Sequence, residues 1–345
     1  MSSWSDPELH ELFLSHTPLI DVRAPIEFQH GALPGAVNLP LMNDDERHRV
    51  GLCYKDQGQA AAIELGHQLV SGEVKDQRVR AWVTRLQAYP HSRILCFRGG
   101  LRSQTSCQWV TEAGIPQQPL AGGYKRARQF LLSWLEEAPL PQLFRLGGLT
   151  GSGKTEVLRT LPHYADIEEL AHHRGSAFGN LGAQPAQVTF ENALAVKLLE
   201  NPRHLIVEDE SAVLGRIALP RRFFAHMRTA PIVILETSLE ERVKNIYRDY
   251  VLTNDPSFFL AAVQRISRQL GGVRAKQVTE LLQAGFAAGA GIENHSPWIS
   301  ELLENYYDPL YRKDILRQGS KVLFRGDRSA VTQYFSEALK GSALA

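Results

Sequence analysis

Residues 144–158 read FRLGGLTGSGKTEVL, and no other stretch of the chain restricts its fold as tightly. An apolar run ends in glycines, a Gly-x-x-x-x-Gly-Lys-Thr octapeptide spans Gly148 to Thr155, and helix-forming residues follow at once. That order describes a strand, a loop of backbone amides and the start of a helix. Gly148, Gly151, Ser152 and Gly153 supply the amides that wrap a phosphate, Lys154 a point charge, and Thr155 a hydroxyl that can reach a magnesium ion. The same amides accept a diphosphate of any kind, so the loop alone does not specify ATP.

Around this P-loop the pattern alternates. RHLIVEDE and PIVILET read as strands, SKVLFRG as a last strand near 320–325, and residues 239–315 as mostly helical. LIVEDES ends an apolar strand in Glu208, Asp209 and Glu210, where the magnesium-associated acid of a P-loop domain is expected. Between elements, ELAHHRGSAFGNLG places His173, Arg174 and Ser176 among glycines, the composition of a substrate loop. Two adjacent histidines without a spaced third ligand do not make a metal site, and no firm metal site is expected. The linker EEAPLPQL (136–143) separates a P-loop core (144–238) and its helical extension (239–345) from a first segment with its own strand–helix alternation. There PLIDVR and SRILCF read as strands and GALPGAVNLP as loop. The fold class is therefore α/β, with two parallel-sheet domains in series.

The first segment carries RILCFRGGLRSQT, residues 93–105. A loop curling from Cys96 to Arg102 could turn its backbone N–H groups toward the sulfur and favour a thiolate or an anion carried on it. Gly99 and Gly100 are expected to adopt angles that side chains disfavour, and Arg98 and Arg102 to complete the cradle. Cys53 and Cys107 lack such surroundings and read as packing. With three cysteines and no C-x-x-C pair, neither a disulfide framework nor a structural zinc site is expected.

This segment, about residues 1–135, resembles a rhodanese domain in DVRAPIEFQHGALPGAVNLP, CFRGGLRS and LAGGYKRA. The resemblance implies that Cys96 carries a persulfide or perselenide and that Asp21 and Arg23 help shape the site. The five residues between Cys96 and Arg102 also match the spacing of related phosphatases, one more than the common sulfurtransferase loop. Taken together, CFRGGLRSQ, GLTGSGKT, LAHHRGSAFG, VEDES and NYYDPLY in one order resemble the tRNA 2-selenouridine synthases. The resemblance implies an enzyme that geranylates wobble 2-thiouridine from geranyl diphosphate and then replaces the S-geranyl group with selenium from selenophosphate. It implies a tRNA bearing 2-thiouridine as partner, a supplier of selenophosphate, and no tightly bound cofactor. Rival readings are an ATP-dependent tRNA sulfurtransferase, a thiol and nucleotide sensor, and a phosphatase-like loop fused to a kinase-like domain.

A net charge of +1 over 345 residues provides no global field for RNA, so contacts must be local. Candidates are Lys125, Arg126 and Arg128, then Arg221 and Arg222, then Arg265, Arg268, Arg274 and Lys276. No run of about 18 apolar residues occurs and MSSWSDPELHELFLSH lacks a signal core, so a cytoplasmic protein with no membrane partner is expected.

Overall fold

The computed structural model describes residues 5–176, 178–179 and 182–339, leaving aside the side chains of residues 315–318. The chain forms two compact units, one of residues 1–139 with 185–200, the other of residues 140–184 with 201–345.

The first unit is built on three short parallel strands in the order β2-β1-β3: β1 (Leu19–Asp21), β2 (Ala36–Asn38) and β3 (Arg93–Leu95). The stretch GALPGAVNLP thus includes a strand where a loop was expected. Only Ala-Val-Asn between two prolines pairs, too short a run to display alternation. Its helices are α1 (Pro7–Leu14), α2 (Pro25–Gln29), α3 (Asp44–Leu69), α4 (Gly72–Ala88), α5 (Leu101–Glu112) and α6 (Gly123–Glu136). Ile20, Val22, Trp82, Ile94, Cys96, Cys107 and Val110 share one core. The helix Gln187–Glu200 also belongs to this unit. It is held to α6 by Arg128 Nη1, which donates to Asn192 Oδ1 at 2.9 Å, and to the 32-turn by Asn192 Nδ2, which donates to Ala32 O at 2.7 Å.

The second unit carries five parallel strands in the order β10-β9-β4-β6-β5. In chain order these are β4 (Gln142–Gly148), α7 (Lys154–Leu158), β5 (Tyr164–Ala165) and α8 (Ile167–Ala171). After the helix already placed, counted as α9, come β6 (His204–Glu208), a small antiparallel hairpin β7 (Val213–Leu214) and β8 (Ile217–Ala218), α10 (Arg221–Thr229) and β9 (Ile232–Leu235). The helical extension runs through α11 (Leu239–Tyr250), α12 (Pro256–Leu270), α13 (Gly272–Ala288), α14 (Ile292–Leu302) and α15 (Asp308–Gln318), and returns to the sheet as β10 (Val322–Gly326) before α16 (Arg328–Ala338). The expected mixed α/β class with parallel sheets is what the chain adopts. β4 sits centrally with β6 and β5 on one side and β9 and β10 on the other, so the connections leave it to opposite sides while every strand stays parallel. A crevice at the carboxyl ends of such strands is where ligands of open α/β sheets bind. The helices have a core of their own around Phe259, Val263, Val278, Leu282, Trp298 and Leu302. The turn joining α14 to α15, Leu303–Tyr307, is a π-helix, a local form often kept where side chains must be re-aimed.

Candidate functional site

In the first unit Cys96 follows β3 and its side chain is buried, 3% exposed. The hydrogen-bond partners of Sγ are oxygens: Ser103 Oγ at 3.2 Å and Gly100 O at 3.8 Å. A thiol donates to the carbonyl, and a thiolate accepts from the hydroxyl. The loop is fixed from outside by α6, whose Tyr124 and Lys125 amides donate to Cys96 O at 2.9 Å and Phe97 O at 2.8 Å. That requires close backbone approach. A Cβ on Gly123 (φ +55) would lie 2.2 Å from Cys96 O, and one on Gly99 (φ +67) 2.8 Å from Leu120 O. Gly100, in contrast to the sequence expectation, has an ordinary negative φ of −93° as the N-cap of α5 and needs no glycine for its angle.

The arginines follow the expected cradle only in part: burial opposes it, but Glu27 and then the nearby Cys96 charge strengthen the hold of Arg102 on its proton. Arg102 is engaged with a carboxylate, donating to Glu27 at 2.6 and 3.2 Å. Burial pushes the Glu27 carboxyl up, but the Arg102 bonds outweigh it and hold the group below its usual range. Arg98 is exposed. Asp21 and Arg23 form a buried pair at 2.6 Å; Arg23 also donates to Gly31 O at 2.7 Å and stacks on the Tyr124 ring. They brace the strand end on which the loop rests. Cys107 packs in the core, where burial and then the nearby Cys96 raise its thiol to about 12, so it stays protonated.

In the second unit the P-loop residues Gly148, Gly151, Ser152, Gly153, Lys154 and Thr155 line one pocket together with Glu168, Arg174, Ser176 and Glu210. Lys154 Nζ donates to Gly148 O at 3.0 Å, and Thr155 Oγ1 donates to Glu208 Oε1 at 2.8 Å. The three acids at the end of β6 divide by alternation. Glu208 turns to Thr155, while Asp209 pairs with buried Arg145 of β4 at 2.7 Å. Glu210 bonds with Glu168, which lies one residue before the ELAHH stretch and carries no motif of its own in the sequence. Glu208 Oε2 is buried without a hydrogen-bond partner, so Thr155 and Glu208 fit a magnesium ion: one free oxygen beside a hydroxyl.

Burial, then the Glu208 charge, pushes Glu210 up to about 7, and burial followed by neighbouring carboxylates raises Glu168 and Glu208 as well. These groups hold protons in the folded protein that the unfolded chain releases near 4.5. The contribution of these carboxyls to the stability of the ligand-free protein therefore falls as pH rises from about 4.5 to about 7. A melting series should show Tm declining across that window, and Glu210→Gln should flatten the decline.

The loop itself is pinned by a residue of α11. Buried Arg242 donates to Thr150 O at 2.8 Å and to both oxygens of Asp308 at 3.0 and 2.5 Å. Asn245 Nδ2 donates to Gly151 O at 2.9 Å, and the Gly148 amide donates to Tyr311 Oη at 2.5 Å. The NYYDPLY stretch thereby gains a physical role, since its aspartate and last tyrosine hold the phosphate loop in shape. Asp308→Ala would leave the Arg242 guanidinium buried without its countercharge; we expect a loss of about 3–5 kcal/mol in denaturant unfolding. A loss below about 1 kcal/mol would show that the pair is dispensable.

Of the 169–182 stretch, Ala177, Asn180 and Leu181 lie outside the described residues. Arg174 covers the Tyr250 ring at 4.6 Å and donates to Asp249 O at 3.3 Å, and Ser176 Oγ accepts from the Phe178 amide at 3.2 Å. His173 does not line the P-loop pocket. Its buried Nδ1 has no hydrogen-bond partner, and burial together with Arg265 lowers its affinity for a proton. Beside the P-loop pocket lies a narrow apolar cavity lined by Phe178, Phe259, Trp298, Ile299, Leu302 and Leu303. The two share Thr150, Ser176, Ile246, Tyr250 and Tyr307.

The basic candidates separate. Arg126 is paired with Asp6 and Glu8, and Arg128 with Glu191, so both tie elements of the first unit; Lys125 is exposed. Arg274 pairs with Glu301 at 3.1 Å and Lys276 with Glu280 at 3.8 Å. Arg221, Arg222, Arg265 and Arg268 are exposed on α10 and α12. Among the described residues no helix is long and apolar enough to cross a membrane.

Residues 141–341 match the family model described as tRNA 2-selenouridine synthase AAA domain. Over nearly its whole length the chain is similar to proteins named tRNA 2-selenouridine synthase. That of Hahella chejuensis is 45% identical over 96% of this chain and 94% of its own. That of Shewanella denitrificans is 44% identical over 96% and 98%, and that of Bordetella bronchiseptica 46% identical over 95% and 96%.

Proposed function

The chain belongs to the tRNA 2-selenouridine synthase family, and from that premise we propose how its two units divide the labour of a transferase that installs selenium at the wobble uridine of tRNA. In the second unit the 2-thiouridine sulfur is alkylated by geranyl diphosphate. The carbon–sulfur bond forms as the carbon–oxygen bond breaks, diphosphate leaves, and the N3 proton is released. Lys154 and the loop amides stabilise the charge growing on the leaving oxygen. A magnesium ion at Thr155 and Glu208 would neutralise further charge on the diphosphate.

One observation carries the choice of substrate: the phosphate pocket and the apolar cavity share five residues. A diphosphate head with a hydrocarbon tail matches both linings, although the cavity, about 30 Å³ in volume, must widen to admit a ten-carbon chain; the base of ATP would bring polar edges into an apolar lining. In the first unit, which we read as a rhodanese-like domain, Cys96 attacks C2 of the S-alkylated base. The alkylthiol leaves, and selenophosphate then displaces the sulfur of Cys96. Attack by a thiolate needs no external reductant, and the Ser103 hydroxyl, 3.2 Å from Sγ and bonded to Gly100 O at 3.1 Å, would turn to donate to the thiolate. The substrate RNA is a tRNA with 2-thiouridine in the anticodon, met in the cytoplasm and approached through the exposed arginines of α10 and α12.

The test incubates the protein with thiolated anticodon stem-loop RNA and either geranyl diphosphate or ATP, with nucleosides read by mass spectrometry. S-geranyl-2-thiouridine formed with the first and no RNA product with the second supports the reading. RNA modification that requires ATP turnover would replace it with the sulfurtransferase rival.

A further inference from the structure

The first unit holds an apolar feature that the anion chemistry of Cys96 does not require. Helix α3 is 26 residues long, yet Ala62 is its only buried residue. It bends at Gly58, whose φ of +88° interrupts the helix. With α5 it encloses a trough of about 670 Å³, within the range of small-molecule sites. Met42, Val50, Tyr54, Ile63, Leu101 and Trp109 form its walls, and Gly51, Ala62 and Gly66 keep its α3 side low. The trough begins at the thiol loop itself. Leu101 and Arg102 belong to both, and Gly100 O stands 3.8 Å from Cys96 Sγ. Leu101 at that end is 50% exposed, an apolar side chain left open to water beside the reactive sulfur. The cations at the same end, Arg102 and Arg47, share the single carboxylate of Glu27, so that end keeps one net positive charge beside the apolar walls.

We propose that this trough is a second isoprenoid site, receiving the geranyl chain of the S-geranyl base while C2 faces Cys96. This rests on the two-step reading above. A base alkylated on sulfur cannot present C2 to the thiol unless its ten-carbon tail is accommodated beside it. Each methylene left in water forgoes the favourable transfer that an apolar wall supplies. The trough thereby selects for the alkylated intermediate and against unmodified thiouridine. When the C2–S bond breaks, geranylthiolate takes up a proton and departs as geranylthiol from the same trough. Selenium enters from selenophosphate and water later cleaves the selenium–phosphorus bond, with no net oxidation or reduction.

The experiment uses the full chain and stem-loop RNAs carrying chemically prepared S-geranyl- or S-methyl-2-thiouridine, with free selenophosphate. Because the RNA is already alkylated, no geranyl diphosphate is used, and failure of the alkylation reading, scored in the assay above, stays separate. Wild type should favour the geranyl substrate in kcat/KM by at least about tenfold. Ile63→Asp, which makes the wall polar, and Gly66→Phe, which fills the trough, should remove that preference. Both should leave S-methyl turnover within about twofold and the melting temperature unchanged. Equal wild-type rates on the two RNAs, or variants that lower both equally, would overturn the proposal. So would variants impaired only when selenophosphate is delivered by its synthesising enzyme, which would make the trough a docking site for that protein.

Discussion

Cys96→Ala is expected to accumulate S-geranyl-2-thiouridine and to form selenouridine at least about a thousandfold more slowly than wild type. The loop's position depends on backbone bonds from Tyr124 and Lys125 to the carbonyls of Cys96 and Phe97, not on the sulfur. Loss of the side chain therefore removes the nucleophile and leaves its surroundings standing. Geranylation, which we propose takes place in the second unit, should be unaffected. Mass spectrometry of nucleosides from a single-turnover reaction measures both quantities. Selenouridine forming in Cys96→Ala at a rate near wild type would mean that selenophosphate attacks C2 directly and that the thiol only packs.

Lys154→Ala should produce the opposite arrest. In the ligand-free loop its ammonium group lies 3.0 Å from Gly148 O, so it is already aimed into the cradle. Removing one such charge from a leaving diphosphate costs about a hundred- to a thousandfold in rate. RNA should stay as 2-thiouridine, while the same variant should convert pre-alkylated S-geranyl RNA at the wild-type rate. If Lys154→Ala also fails on pre-alkylated RNA, the P-loop serves both steps and the assignment of one step to each unit is wrong.

The two candidate loops could be picked out in the sequence because the groups each brings together are local. Octapeptide spacing determines which amides, ammonium and hydroxyl meet a phosphate, and Cys96 with its glycines lies within seven consecutive residues. What supports these loops was not legible, because it arrives from far along the chain. Asp308 reaches Arg242, and Arg242 reaches Thr150, across 66 and 92 residues. Glu168 joins Glu210 through a fold that neither neighbourhood announces. Charge was the poorest guide. Arg126 and Arg128 look like a basic patch in YKRAR, but their countercharges, Asp6, Glu8 and Glu191, lie more than sixty positions away. Alternation, by contrast, does explain why the acids of VEDES face different partners, once β6 is known to end at Glu208.

The membership of α9 bears on how such a protein could have been assembled. The backbone passes from one unit to the other at 139/140, 184/185 and 200/201, three times rather than once. A gene severed in the 136–143 segment would encode an amino-terminal piece lacking the helix that anchors Arg128 and Ala32, and a carboxyl-terminal piece with that helix stranded. Simple end-to-end fusion of two ready-made modules does not produce this weave, and simple fission does not undo it. Loss of the amino-terminal 139 residues would keep every segment of the second unit but leave α9 without the helix and turn it packs on, so shedding the first module cleanly needs an internal excision as well as a truncation.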